Sequence, residues 1–132
     1  MLDWFHSYLI NRTQIVKVKG YSSTPIKVHL GVPQGSHFGP ILFNIFINDI
    51  KGVLLYSHIL LYADDIKIYR VISSVFDVHL LQEDLSKIVE WSLRNELSIN
   101  VAKSKVVSFH KKHVSSINGI YSVNTLNLER LT

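Results

Sequence analysis

The 132-residue chain has no cysteine. That excludes a disulfide framework and any thiolate metal site. It also lacks internal repeats, a linker and any low-complexity segment. Asp3 and His6 interrupt the amino-terminal apolar residues, so no signal peptide is expected. The uncharged stretch between Lys51 and Asp64 is too short for a bilayer, which needs about 20 residues, so membrane insertion is not expected. On length the chain is one domain at most, large enough for a real core but short for a multi-step enzyme. What it does have is apolar side chains, 47% of the total with 11% aromatic, in keeping with a packed globular piece.

The net charge of +4 is unevenly spread. Residues 1–48 carry four basic and one acidic side chain, 49–93 four basic and seven acidic, and 94–132 six basic and two acidic. An acidic centre between basic ends suits a metal site flanked by surfaces that grip a phosphate backbone, though solvated charge scatters this way too.

Periodicity divides the chain further. Leu2, Phe5 and Leu9 form the apolar side of a helix end. Residues 14–19 and 25–30 alternate: Val16 and Val18 face one way and Lys17 and Lys19 the other, then Ile26, Val28 and Leu30 oppose Lys27 and His29. With 20–24 between them this predicts a hairpin whose lysines are solvated or line a nucleic-acid path. Residues 41–55 are apolar nearly all round, predicting a helix buried on most faces with a narrow polar stripe at Asn44, Asn48 and Lys51. Leu81, Leu85, Ile88 and Val89 fall at helical spacing within 77–95, with Glu83 and Lys87 as an i, i+4 pair and Trp91 in the core. Residues 97–109 read as a short strand, a turn at Asn100 and a second strand, and 117–132 as a weak hairpin. Helices crossing an antiparallel sheet give an α+β fold.

Two segments carry chemistry. The first is Ile59-Leu60-Leu61-Tyr62-Ala63-Asp64-Asp65-Ile66-Lys67-Ile68-Tyr69, which reads as strand, carboxylate pair, strand. Taken alone, Asp-Asp is good turn chemistry in a β-hairpin. The alternative is a divalent-cation site, since two carboxylates on a rigid turn can share cations that drive in-line phosphoryl or nucleotidyl transfer. The second runs from Gly31-Val32-Pro33-Gln34-Gly35-Ser36 to Gly39-Pro40 and Ile47-Asn48-Asp49. Its stiff Pro beside a permissive Gly makes a shaped loop open to close approach, and a helix begins near Gly39-Pro40.

Together these segments resemble the reverse transcriptase domain of non-LTR, LINE-like and jockey-type retrotransposons. Trp4, Ser7-Tyr8-Leu9, Asn11-Arg12 and Gln14 match the stretch before Pro-Gln-Gly; Leu81-Gln82, Trp91 and Asn100-Val101-Ala102-Lys103 match the stretch after the hairpin. The resemblance implies a polymerase palm: an antiparallel sheet with packed helices that adds deoxynucleoside triphosphates to a DNA primer 3′-hydroxyl on an RNA template. It implies Asp64 and Asp65 as ligands of magnesium (or manganese), with Asp64 the primary one. Pro33, Gln34, Gly35 and Tyr62 become contacts to nucleotide and template, with Tyr62 as a core residue the alternative. Lys103 falls where the family has a lysine near the leaving pyrophosphate, a place to donate a proton or stabilise charge, against the reading of a plain surface lysine. Nucleus or cytoplasm is the compartment the resemblance implies.

Some residues depart from that pattern or stand outside it. Phe38 occupies a position where the family often has Leu, an apolar but larger replacement. His110 and His113 flank Lys111-Lys112 without a carboxylate or cysteine at ligand spacing, so a basic or solvated tract is expected rather than zinc. The family's further catalytic aspartate is expected upstream of Trp4, and Asp3 lacks the strand context to replace it. The expectation is therefore a single partial palm spanning 1–132, with fingers and the first aspartate strand missing and 117–132 as a possible start of a thumb. Such a piece is expected to show little or no polymerase activity alone. The alternatives are a non-catalytic nucleic-acid-binding remnant and an inactive pseudogene product.

Overall fold

A computed structural model describes residues 2–110 and 117–131. The chain divides into two compact units, Met1–Phe46 and Ile47–Thr132.

The first unit opens with helix α1, Leu2–Leu9. The aromatics one turn apart organise it rather than the expected Leu2–Phe5–Leu9 face. Trp4 stacks on Tyr8 at 5.2 Å, and Phe38 meets the Trp4 ring edge-on at 5.2 Å, while Leu2 is 84% exposed. Strands β1 (Arg12–Gln14), β2 (Lys17–Val18), β3 (Tyr21–Ser22) and β4 (Ile26–Val28) follow. β1 pairs antiparallel with β4, and β2 with β3 inside it. The hairpin is thus formed, but its turn is tighter than the expected 20–24 loop. Lys19 and Gly20 both take positive φ, 47° and 85°, the sign pattern of the type I′ turn whose twist matches paired strands. Between the two ladders the pairing shifts by one residue, and Ser23 fills the break: its amide donates to the Val16 carbonyl and its Oγ accepts from the Val16 amide. Val16 and Val18 are exposed, so the expected apolar face is not buried.

Helix α2 spans Phe38–Ile47 and passes into a 3-10 helix, Asn48–Val53. The predicted helix over 41–55 is therefore shorter and tightens midway. Few of its apolar side chains are buried. Ile47 and Ile50 are buried, whereas Ile41, Ile45 and Phe46 are exposed.

The second unit is built on helix α3, Val75–Arg94. Ser74 caps it in extended conformation, accepting from the Asp77 amide while the Asp77 carboxylate accepts from the Ser74 amide, a reciprocal capping box that fixes the start. Lys87 Nζ reaches Glu83 Oε1 at 2.8 Å, as the spacing predicts. Ile88 and Trp91 are buried with Ile47, Ile50, Tyr121 and Val123. Trp91 is a core residue, its Nε1 donating to Asp49 Oδ1 at 3.1 Å.

Residues 97–100 form no strand. Instead the Asn100 carbonyl and side chain accept the Lys103 amide, and the carbonyl also accepts the Ser104 amide. This side-chain-stabilised turn competes with strand pairing. β7 is Lys105–Val107, β8 Ser122–Val123, β9 Leu126–Asn127 and β10 Glu129–Leu131. β8 and β9 form the expected tail hairpin, closed by Asn124 and Thr125 at φ 48° and 66°. It docks on α3: Gln82 Nε2 donates to the Ser122 carbonyl at 3.0 Å, and the Ser122 amide donates back to Gln82 Oε1 at 2.8 Å. β10 pairs parallel with β7.

The fold is α+β, as expected. Among the described residues, however, the strands form five separate two-stranded ladders, four antiparallel and one parallel, rather than one antiparallel sheet. No helix among them is long and apolar enough to cross a membrane. The tract at Lys111-Lys112 and His113 lies outside the described residues; His110 is exposed.

Candidate active site

Residues 58–69 form a regular antiparallel hairpin of β5 (His58–Tyr62) and β6 (Asp65–Tyr69). Tyr62 pairs with Asp65, leaving Ala63 and Asp64 as a two-residue turn. Ala63 sits at φ 51°, a left-handed backbone that costs a residue with a Cβ about 1 kcal/mol or more. Asp64 occupies the turn itself and Asp65 is the first residue of β6, so the pair straddles the turn–strand boundary.

Register then sorts the side chains. Directly opposed residues share a face, and successive residues alternate. Ile59, Leu61, Ile66 and Ile68 lie half-buried on one face; His58, Leu60, Tyr62, Asp65, Lys67 and Tyr69 lie exposed on the other. Tyr62 is 84% exposed and is therefore not a core residue. Both carboxylates are exposed and make no hydrogen bond or ion pair with the described residues. They are free to take a ligand.

The base of the hairpin is fastened to α3 at two points. On the entry side, Asp84 is fully buried, with Oδ1 accepting the Leu55 amide and Oδ2 the Tyr56 amide, each at 2.9 Å. Burial by itself raises the Asp84 pKa, but the amides of Leu55 and Tyr56, together with Ser57, outweigh it and hold the carboxyl below its ordinary value. On the exit side, Arg70 Nη2 meets Asp77 Oδ1 at 2.7 Å and Arg70 Nη1 donates to the Tyr56 carbonyl. Arg70, followed by Ser74 and the Ser73 amide, lowers the Asp77 pKa from 3.8 to about 2.

The Pro33-Gln34-Gly35 loop belongs to the first unit and is shaped around Ser36. Ser36 Oγ donates to the Pro33 carbonyl at 2.8 Å and accepts from the Gly39 amide at 3.0 Å and the Tyr8 hydroxyl at 2.5 Å. Gly35 takes φ 77°, a conformation L side chains resist, and a Cβ there would meet nothing within 4 Å, so backbone freedom rather than crowding calls for glycine. Gly39 is the opposite case: a Cβ would lie 3.1 Å from the Pro33 carbonyl oxygen. Gln34 is exposed and Pro33 half-buried. Arg12 anchors the approach to this loop, donating to the Leu9, Leu30 and Gly31 carbonyls.

Residues 1–124 match the family model of reverse transcriptase (RNA-dependent DNA polymerase). The chain belongs to the reverse transcriptase family. It is 32% identical to the RNA-directed DNA polymerase from mobile element jockey of Drosophila melanogaster, covering 86% of this chain and 14% of that protein. To the probable RNA-directed DNA polymerases of transposons BS and X-element from the same organism it is 31% and 34% identical, over 84% and 80% of this chain and 13% and 12% of theirs. The chain thus corresponds to a segment of non-LTR retrotransposon polymerases, spanning under one-sixth of each. No solved structure matches it.

Within this reverse transcriptase segment, Tyr62, Asp64 and Asp65 share one hairpin tip, and Pro33, Gln34 and Gly35 share one loop of the other unit. Lys103 is exposed in the turn that Asn100 closes. Reverse transcriptases work with divalent metal ions, and two exposed carboxylates supply the hard oxygen donors such ions take. No three His, Asp or Glu side chains converge among the described residues. Sequence reading missed Asp84, Arg70 and Ser36. Asp84 had a signal: it lies three residues after Leu81 and four before Ile88, on the apolar stripe of α3, where a carboxylate must find partners.

Proposed function

We propose that this chain is part of the nucleotidyl-transfer centre of a retrotransposon RNA-directed DNA polymerase. In this reading a DNA primer 3′-hydroxyl attacks a deoxynucleoside triphosphate paired to an RNA template, and pyrophosphate leaves. Asp64 and Asp65 hold magnesium or manganese, Pro33, Gln34, Gly35 and Tyr62 border nucleotide and template, and Lys103 meets the departing pyrophosphate. A cation held by these two carboxylates would supply charge neutralisation for the triphosphate. The tail from residue 117 leads toward a thumb.

One observation supports the reading above the others: adjacent carboxylates stand exposed and uncommitted on a turn whose φ at Ala63 is held at 51°. Strain of that kind concentrates at functional sites. Two acids hold two cations poorly without a third group facing them, so the 132 residues alone are expected to extend a primer little or not at all. Manganese titration followed by NMR tests the metal role. Signals of residues 62–66 broaden in the native chain and are spared in the double variant Asp64→Asn, Asp65→Asn; equal broadening in both refutes it.

The excess of basic over acidic side chains in residues 1–48 and 94–132 supports a second reading, a nucleic-acid-binding module without chemistry. Salt-dependent binding to a template–primer duplex that Asp64→Ala leaves unchanged would select it.

A further inference from the structure

We infer that Asp84 and Arg70 are positioning residues that hold the carboxylate hairpin in place from its base. The inference rests on the metal-binding reading of Asp64 and Asp65 for its consequence, and on geometry for its substance. A two-stranded hairpin is marginal in water by itself, and β5–β6 pairs with no third strand among the described residues. Its apolar face is only half-buried. Within these residues, the polar contacts at its two ends bear on its direction.

The fixing points lie at both ends of the ladder. Asp84 takes the amides of Leu55 and Tyr56, three and two residues before β5 begins. Arg70, immediately after β6, holds Asp77 with Nε and Nη2 and the Tyr56 carbonyl with Nη1. Tyr56 is thus gripped through both its N–H and its C=O. The peptide entering the hairpin and the residue leaving it are bonded to each other and to α3. Lys87, on the same helix, adds its ammonium 5.1 Å from the Tyr56 ring centre. Every member of this set is charge-assisted or buried, the kinds of bond that hold geometry best. None touches the turn at Ala63–Asp64, so the effect on the carboxylates is transmitted along two strands rather than made directly.

The test uses the 132-residue chain with Arg70→Lys and Asp84→Asn. Arg70→Lys keeps the charge facing Asp77 but loses the fork that also reaches Tyr56. Asp84→Asn keeps the shape but turns one acceptor into a donor facing an amide. Amide exchange in 59–68 should quicken about tenfold while amides at 88–91 change much less, because local opening is separable from global unfolding. The manganese concentration needed to broaden Asp64 and Asp65 should rise several-fold. Equal acceleration in the hairpin and α3 means general destabilisation and overturns the proposal, as does an unchanged hairpin. If Asp84→Asn does not fold, Arg70→Lys decides. If manganese affects neither acid in the native chain, the metal reading falls, and the exchange ratio still judges the positioning role.

Discussion

Arg70 and Asp77 meet at 2.7 Å across seven residues, joining the last strand of the carboxylate hairpin to the capping box of α3. One acid serves both the helix start and the hairpin end. That double duty gives the contact an unusual sensitivity to acid.

The Asp77 pKa is lowered from 3.8 to about 2, so its contribution is full above the unfolded value and is lost as pH falls between the two. Urea midpoints of the native chain should fall between pH 4.5 and pH 2 more than those of Asp77→Asn. Parallel pH profiles for the two would contradict the linkage.

Asp84→Ala leaves the Leu55 and Tyr56 amides without their acceptor in a buried place. The expected loss is about 3 kcal/mol of unfolding free energy, within the range for breaking buried charged hydrogen bonds. Denaturant unfolding of the two proteins measures it. A loss below about 1 kcal/mol would mean water replaces the carboxylate.

Ala63 holds a positive φ that branching at Cβ makes worse. Ala63→Val should lower stability by about 1–2 kcal/mol, and Ala63→Gly should cost nothing or stabilise slightly. Thermal unfolding ranks the three. A valine variant as stable as the native chain would show that the turn relaxes.

Ser36→Ala removes one donor and two acceptor contacts at once, freeing the Tyr8 hydroxyl and the Gly39 amide. A loss of about 1–2 kcal/mol is expected, with faster amide exchange at Gly35 and Gly39. Ser36→Thr should retain most of the protection.

Much of this was legible in the residues themselves. The α3 pattern, its Glu83–Lys87 pair and the buried Trp91 follow from helical spacing, and the strand–turn–strand of 59–69 from the apolar run around Asp64-Asp65. The hairpin that carries the carboxylate pair was legible as a motif, while its support was not. Asp84, Arg70 and Tyr56 are 14 to 28 residues apart, and nothing in local periodicity announces that one backbone peptide will be gripped from both sides. Helix 41–55 misled for a related reason. An all-round apolar pattern says that faces can be covered, not that the described residues cover them, and Ile45 remains 68% exposed. The hairpin over 14–30 was foreseen, but neither its inner ladder nor its one-residue shift, which depends on the Ser23 hydroxyl standing in for a main-chain partner.

The alternation of β5–β6 imposes a parity rule on its evolution. Inserting one residue after Asp65 would bring Lys67 and Tyr69 to the greasy side and turn Ile66 and Ile68 to water, whereas adding two would restore the order. Indels here should survive in even numbers, a constraint that a deep mutational scan of strand lengths would expose without reference to chemistry.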